Sequence, residues 1–244
     1  MTLNEAETLP DCLASVSWAD EVIIVDSGST DDTVSVATRM GATVHAHPWM
    51  GFAAQKNLAA QLAKNDMILN LDADERVTTE LRRAIQDCQT VAARYEISRT
   101  SQFMGKFHRP VHRPTREYLV RLYDRTQARF GDVLVHEKVE ASAGGSPVRL
   151  EGDLQHYGYR GMKDFVRRLN DYSSLLAAEQ VQAGKTKARP VLRPTARFLW
   201  AYVRHRNILD GRRGLLLSLL WAFHDFLVEA KVIDAQMNAR SRTH

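Results

Sequence analysis

Twice in the first 80 residues a short run of aliphatic and β-branched residues ends on aspartate. One is Glu21-Val22-Ile23-Ile24-Val25-Asp26, and the other is Met67-Ile68-Leu69-Asn70-Leu71 running into Asp72-Ala73-Asp74. Runs of this length, separated by helical patterns, predict buried strands in βαβ units around a parallel sheet. The pattern between them agrees. Leu9, Leu13 and Val16 share a helical face, Ser27-Gly28-Ser29-Thr30 reads as a turn, and Asp31-Asp32 suits a helix N-terminus. Thr43 to Ala46 reads as a short strand, Phe52 to Lys64 as a helix and Thr79 to Ala92 as another. In an open parallel sheet, ligands bind outside the carboxyl ends of the strands, so Asp26, Asp72 and Asp74 are expected to face one crevice. There Asp72-x-Asp74 can offer one carboxylate to sugar hydroxyls and the other to Mg²⁺ or Mn²⁺ bridging a diphosphate; a solvated turn explains the same spacing.

Beyond Arg94 the texture changes to short strands, Tyr95–Ser98, Tyr118–Tyr123 and Val148–Leu150, broken by Gly, Pro and basic residues. Met162, Phe165, Leu169, Tyr172 and Leu176 then mark an amphipathic helix ending near Gly184. These patterns divide the chain into a catalytic-type domain over 1–184, with halves 1–92 and 93–184, a Pro-containing linker over 185–194 and a helical region over 195–244.

Charge follows the same division. The whole chain carries 33 Lys and Arg against 29 Asp and Glu, a net +4, yet residues 1–80 hold 4 against 13. Residues 99–130 hold 8 against 2, and residues 189–244 hold 10 against 4. The arginines between His108 and Arg129 suit phosphate recognition as well as they suit a solvated face. No nucleic-acid recognition motif accompanies them, so nucleic acid is not an expected partner. Near the C-terminus, Leu215 to Phe223 with Trp200, Trp221, Arg204, Arg206, Arg212 and Arg213 fits either an anionic membrane surface or packing on other protein. Two cysteines and no secretory leader favour a cytoplasmic setting, peripheral to the membrane if that helical region binds lipid. The most apolar window is too short to span a bilayer.

Four blocks, taken in order and spacing, resemble family 2 glycosyltransferases of the GT-A fold: Val25–Thr33, Gly51–Asn57, Leu71–Arg76 and Val135-His136-Glu137. The resemblance runs over about residues 2–175 and is greatest to the lipopolysaccharide core β-1,4-glucosyltransferase group. It implies an α/β fold with a Rossmann-like nucleotide-binding mixed sheet flanked by helices. It also implies an inverting, metal-dependent transfer of a sugar, glucose by analogy, from a UDP-glucose-like donor to a phosphorylated saccharide or lipid-linked acceptor.

By the same resemblance Thr2, Asn4, Glu5 and Asp26 would hold base and ribose, Lys56 would lie by the donor, and Asp72 would contact the ribose. Asp74 would ligate Mg²⁺ or Mn²⁺, joined by His156. Glu137 would act as general base, with Asp132 in reserve, because an inverting transfer needs a carboxylate to take the acceptor proton. Arg121, Arg113 and Arg116 would contact diphosphate or acceptor. Members of the family usually begin with a buried strand leading into the Thr-x-Asn-Glu loop, whereas this chain opens at Met1, immediately before that loop. The first, normally central strand is therefore expected to be absent, which keeps a non-catalytic sugar-binding protein in view as an alternative. A sugar nucleotidyltransferase is disfavoured, for want of a Gly-rich phosphate loop.

Overall fold

A computed structural model describes residues 1–88, 92–108, 117–131, 138–142, 145–159, 161–184 and 188–241. The chain divides into two compact units. The first comprises Met1–Ser101 and Arg116–Gly158; the second comprises Gln102–Thr115 and Tyr159–His244.

The first unit opens with α1 (Leu9–Ser15), β1 (Ile23–Asp26), α2 (Thr33–Arg39), β2 (Thr43–Ala46) and α3 (Phe52–Leu62). There follow β3 (Met67–Leu69), β4 (Glu75–Val77), α4 (Thr79–Gln86) and β5 (Arg94–Phe103), whose last two residues, like β6 (Lys106–His108), belong to the second unit. It ends with β7 (Glu117–Asp124), β8 (Ala128–Phe130), β9 (Val139–Ala141) and β10 (Val148–His156). The expected α/β class holds, but the strands form three sheets. β1 and β2 pair in parallel, Ile23 opposite Thr43. A six-stranded mixed sheet runs β3-β7-β5-β10-β4 with β6 on β5, and β8 and β9 form an antiparallel pair.

On β1, the Asp26 carbonyl accepts from His47 N on the β2 side, whereas Thr2 N donates to the Val25 carbonyl at 3.0 Å and Ser27 N donates to the Thr2 carbonyl at 2.9 Å. Alternate residues of a strand bond to opposite edges, so Thr2 lies along the edge of β1 away from β2. That single parallel bridge stands where a full strand was expected to be missing.

Local chemistry explains how α4 sits on the sheet. Thr78 caps α4, its hydroxyl accepting from Leu81 N at 3.3 Å, and the same oxygen accepts from Asp153 N of β10. Gly152 of β10 has φ +90, and a Cβ there would meet the Leu81 backbone at 2.3 Å. Glycine thus lets helix and strand approach until Leu81, Ile97 and Leu154 are fully buried in one cluster with Tyr95 and Leu122. Burying each such side chain stabilises the fold by roughly 1.5–3 kcal/mol. A second cluster, of Leu9, Leu13, Ile24, Ala37 and Ala42, joins α1 and α2 to β1.

The second unit is helical. It contains α5 (Met162–Gln182), α6 (Leu192–Leu199), a π-helical turn at Trp200–Arg204, a 3₁₀ turn at Asn207–Asp210 and the 31-residue α7 (Gly211–Ser241). Phe103, Phe165, Leu169 and Leu217 form one of its cores, and Ala177, Val228 and Val232 another. Carboxylates of α7 bind α6. Arg193 donates to Glu229 at 2.7 Å and Arg197 to Asp225 at 3.0 Å. Lys231 crosses from α7 to the Asn170 carbonyl, Ser173 and Ser174 of α5. This division differs from the one read in the sequence, because α5 and α6 both pack on α7, and residues 192–194, read as linker, form the first turn of α6. No helix of the described residues is long and apolar enough to cross a membrane.

Candidate active site

The carboxylate at the end of β1 is held by uncharged donors. Asp26 is buried, and its Oδ2 accepts from Gly28 N at 3.0 Å and Ser29 N at 2.8 Å. Its Oδ1 accepts from the hydroxyls of Thr2 and Ser29. Gly28 has φ +94, a conformation that keeps its amide directed at Asp26 and that L side chains resist. Burial acts to raise the Asp26 pKa, and the bonds from Ser29, Thr2 and Gly28 overcome it, holding the group below the usual carboxylate range.

The same turn is joined to the N-terminal loop. Asn4 Oδ1 accepts from Thr30 N at 2.8 Å, Asn4 N donates to Ser29 Oγ at 2.9 Å, and Glu5 N donates to Thr33 Oγ1 at 2.8 Å. Thr2 therefore meets Asp26 itself, and Asn4 and Glu5 are held to the residues that follow it.

Beyond the end of β3 the carboxylates are held by cations. Arg121, on β7, is buried and donates to Asp72 Oδ2 at 2.7 Å, Glu75 Oε1 at 2.9 Å and Asn70 Oδ1 at 3.1 Å. Lys56 Nζ, carried on α3, lies 3.6 Å from Asp72 Oδ1 and over the Phe130 ring. Arg99 of β5 lies 3.5 Å from Glu75. Burial acts to raise the Asp72 pKa, but Arg121 and Lys56 hold it well below the usual range. Glu75 is wholly buried and shifts the other way, pushed up by desolvation and by the neighbouring Asp72 charge.

Asp74 and His156 meet at the far side of this turn. Pairing of β4 with β10 sets Glu75 opposite His156, and His156 Nε2 lies 3.4 Å from Asp74 Oδ2. The other ring nitrogen, Nδ1, is 3.2 Å from Ser101 Oγ. Gly158 leaves room for the ring, since a Cβ there would come within 2.4 Å of it. A carboxylate and an imidazole at this separation fit two neighbouring positions around Mg²⁺ or Mn²⁺, the imidazole favouring Mn²⁺. Among the described residues no group of three His, Cys, Asp or Glu side chains is placed to hold a metal ion, so the remaining positions would fall to ligand oxygens and water. Beneath the site lies Cys12, buried, its thiol pushed up to about 12 by desolvation first and the nearby carboxylates next.

One expected role looks different in place. Arg121, expected at a diphosphate or acceptor, is turned inward onto Asp72 and Glu75, because the wholly buried Glu75 carboxylate needs a cation beside it. Lys56, expected by the donor, is buried beside Asp72. Glu137, Asp132, Arg113 and Arg116 lie outside the described residues.

Sequence reading gave no role to Glu75, Asn70, Arg99 or Gln55. The last is fully buried, its Nε2 donating to Ser27 Oγ at 3.0 Å and to the His47 carbonyl at 3.3 Å. A signal was present in Gln55-Lys56-Asn57, three consecutive polar residues early in a helix of otherwise small and apolar character, since successive side chains point about 100° apart and three in a row do not share one solvated face. Asn57 completes that set, exchanging two bonds with the Phe130 backbone.

Residues 1–144 match the sequence profile of the family described as Glycosyl transferase family 2. An uncharacterized glycosyltransferase of Rickettsia felis is 32% identical over 260 residues, spanning 99% of this chain and 90% of that protein. The lipopolysaccharide core biosynthesis glycosyltransferase LpsC of Rhizobium meliloti is 29% identical, spanning 94% of this chain and 88% of LpsC. Among solved structures, Staphylococcus aureus TarS 1–349 aligns over 97% of this chain and 90% of its own with 11% identity and a TM-score of 0.44.

Proposed function

The chain belongs to glycosyl transferase family 2, and from that premise we propose that it transfers a hexose, with inversion, from a UDP-glucose-like donor to a lipopolysaccharide-core or other cell-envelope saccharide. The 29% identical relative named for lipopolysaccharide core biosynthesis supports the acceptor class. Support for the donor side comes from the Thr2–Glu5 loop locked to Asp26, a rigid polar wall suited to a base and ribose. The Asp72 side chain, partly exposed although its Oδ1 is buried toward Lys56, supports its reading as a contact for a ribose hydroxyl. Arg121 is a positioning residue in this reading, fixing Asp72 from behind.

The observation that carries the reading is the meeting of Asp74 and His156 at adjoining strand ends, 3.4 Å apart. Together they would hold Mg²⁺ or Mn²⁺, which when bound neutralises the charge that develops on the departing nucleoside diphosphate. Glu137 is the proposed general base, taking the acceptor proton as the oxygen attacks the anomeric carbon. Arg113 and Arg116 are proposed to meet phosphate on the acceptor.

Nucleoside diphosphate release, measured over a panel of donors with and without chelator, tests this. Release should depend on added Mn²⁺ or Mg²⁺ and fall about 100-fold or more in Asp74→Asn and in Glu137→Gln, the scale expected for losing charge stabilisation or general base catalysis. Turnover that persists in excess chelator would remove the metal role. Donor binding with no release from any donor would favour a sugar-binding protein.

A further inference from the structure

The helical unit distributes its arginines in two ways. Those of α6, Arg193 and Arg197, are spent on Glu229 and Asp225 of α7. Those a few residues later, Arg204, Arg206, Arg212 and Arg213, form no ion pair with any described residue, and the nearest acid in sequence is Asp210. Interleaved with them are large apolar side chains held in solvent. Val203 is 60% exposed, Ile208 51% and Leu209 69%, and Leu199 and Trp200 precede them.

This segment is a built turn. Arg206 takes φ +56, which reverses the chain between the π-helical and 3₁₀ turns. Asn207 is buried and donates to Ser218 Oγ at 3.1 Å, and Ser218 donates in turn to the Gly214 carbonyl at 2.7 Å. A Cβ at Gly214 would lie 1.7 Å from the Asn207 carbonyl oxygen, so the glycine lets α7 start directly against the turn. Burying Asn207 holds its neighbours Ile208 and Leu209 outward. Apolar side chains fixed in water between unpaired guanidinium groups match the boundary of an anionic bilayer, where the former enter the acyl edge and the latter meet lipid phosphates.

We propose that the turn over residues 199–213 docks the protein on an anionic phospholipid surface through Val203, Ile208 and Leu209, with Arg204, Arg206, Arg212 and Arg213 binding lipid phosphate. This goes beyond the transferase reading, and its test uses no sugar donor, so either can fail alone.

Flotation of the full chain is measured with vesicles of phosphatidylcholine alone and with about 30 mol% phosphatidylglycerol added. The chain should float with the anionic vesicles only and be released near 1 M salt, where screening shortens to about 3 Å. Arg204→Glu with Arg212→Glu should weaken binding at least about tenfold, and Ile208→Ser with Leu209→Ser should also weaken it, whereas Arg39→Glu on α2 should not. Circular dichroism confirms that each variant is folded, and the single change Arg204→Ala gives a milder check with a smaller loss. Equal flotation with neutral vesicles, no flotation, or an equal loss from Arg39→Glu overturns the proposal. So does sedimentation showing a dimer that Ile208→Ser with Leu209→Ser dissociates while flotation stays unchanged, for then a second copy covers the turn.

Discussion

Asp26 and Asp72 both close the first unit's strand ends, and both are held below the usual carboxylate range, by opposite means. Asp26 is surrounded by two hydroxyls and two backbone amides; Asp72 is set between two cations, with a second carboxylate, Glu75, drawn into the same cluster. Hydrogen bonds from neutral donors are directional and short in reach, so the Asp26 arrangement fixes the shape of a turn. Coulombic pairing is long in reach and needs compensation, so the Asp72 arrangement recruits residues from α3, β5 and β7. The first should fail locally and the second as a group.

The largest expected effect tests that contrast at Arg121. Replacing it with Met leaves the wholly buried Glu75 and the partly exposed Asp72 without their shared cation and should cost about 3 kcal/mol, the low end for breaking a buried pair, read from urea unfolding midpoints. Adding Glu75→Gln should restore a good part of that loss, since the buried group whose pKa is already pushed up is then neutral. If the single and double variants were equally unstable, the cluster would not act as a unit.

Asp26→Asn should cost less, about 2 kcal/mol, because the amide oxygen can keep the bonds from Gly28 N and Ser29 N while its NH2 group faces the Thr2 and Ser29 hydroxyls, which must turn from donating to accepting, and all four bonds lose their charge assistance. Its pH signature follows from the direction of the shift. The folded pKa lies below the unfolded value near 4, so the stability from Asp26 is present above about pH 4 and is lost as pH falls through the folded value. Acid unfolding of Asp26→Asn should therefore have a shallower slope below about pH 4 than the parent. An unchanged slope would mean that Asp26 is no more stabilised in the fold than in the unfolded chain. Glu75 contributes with the opposite sign: its raised folded pKa makes its contribution complete below the unfolded value and lost as pH rises toward the folded one.

What was legible in the sequence tracks these two modes. The turn after β1 could be read because its chemistry is local: Asp26, Gly28, Ser29 and Asp31 lie within a few residues and carry recognisable turn types. Short-range periodicity likewise placed β1, β2, α3 and α5. The mixed sheet was not legible, because strand order depends on partners such as β5 and β10, far apart in sequence and paired in parallel across a register shift. For the same reason Arg121 read as an arginine facing diphosphate or acceptor. Its fate was decided by Glu75, which the sequence presents as one more acid in an acidic turn. The pairing of Asp74 with His156 was suggested by family resemblance alone, and the β4–β10 register supplies its geometric reason.

The smallest expected effect sharpens the neutral-donor side of the comparison. Asn4 sits at φ +56, and its Oδ1 accepts from Thr30 N, Thr30 Oγ1 and Asp31 N. Backbone preference and hydrogen bonding are separable here. Asn4→Gly removes the acceptor but relieves the left-handed backbone, whereas Asn4→Ala removes the acceptor and adds a cost of about 1 kcal/mol for placing an L side chain there. Asn4→Ala should therefore be the less stable of the two by about 1 kcal/mol. Asn4→Gly should still fall short of the parent, by about 0.5 kcal/mol, since these bonds are exposed and water replaces much of their value. Equal stabilities for the two variants would mean that the loop relaxes out of the left-handed conformation once its anchor is gone. In that case Asn4 sets the path of the chain toward Thr33 and does not merely accommodate it.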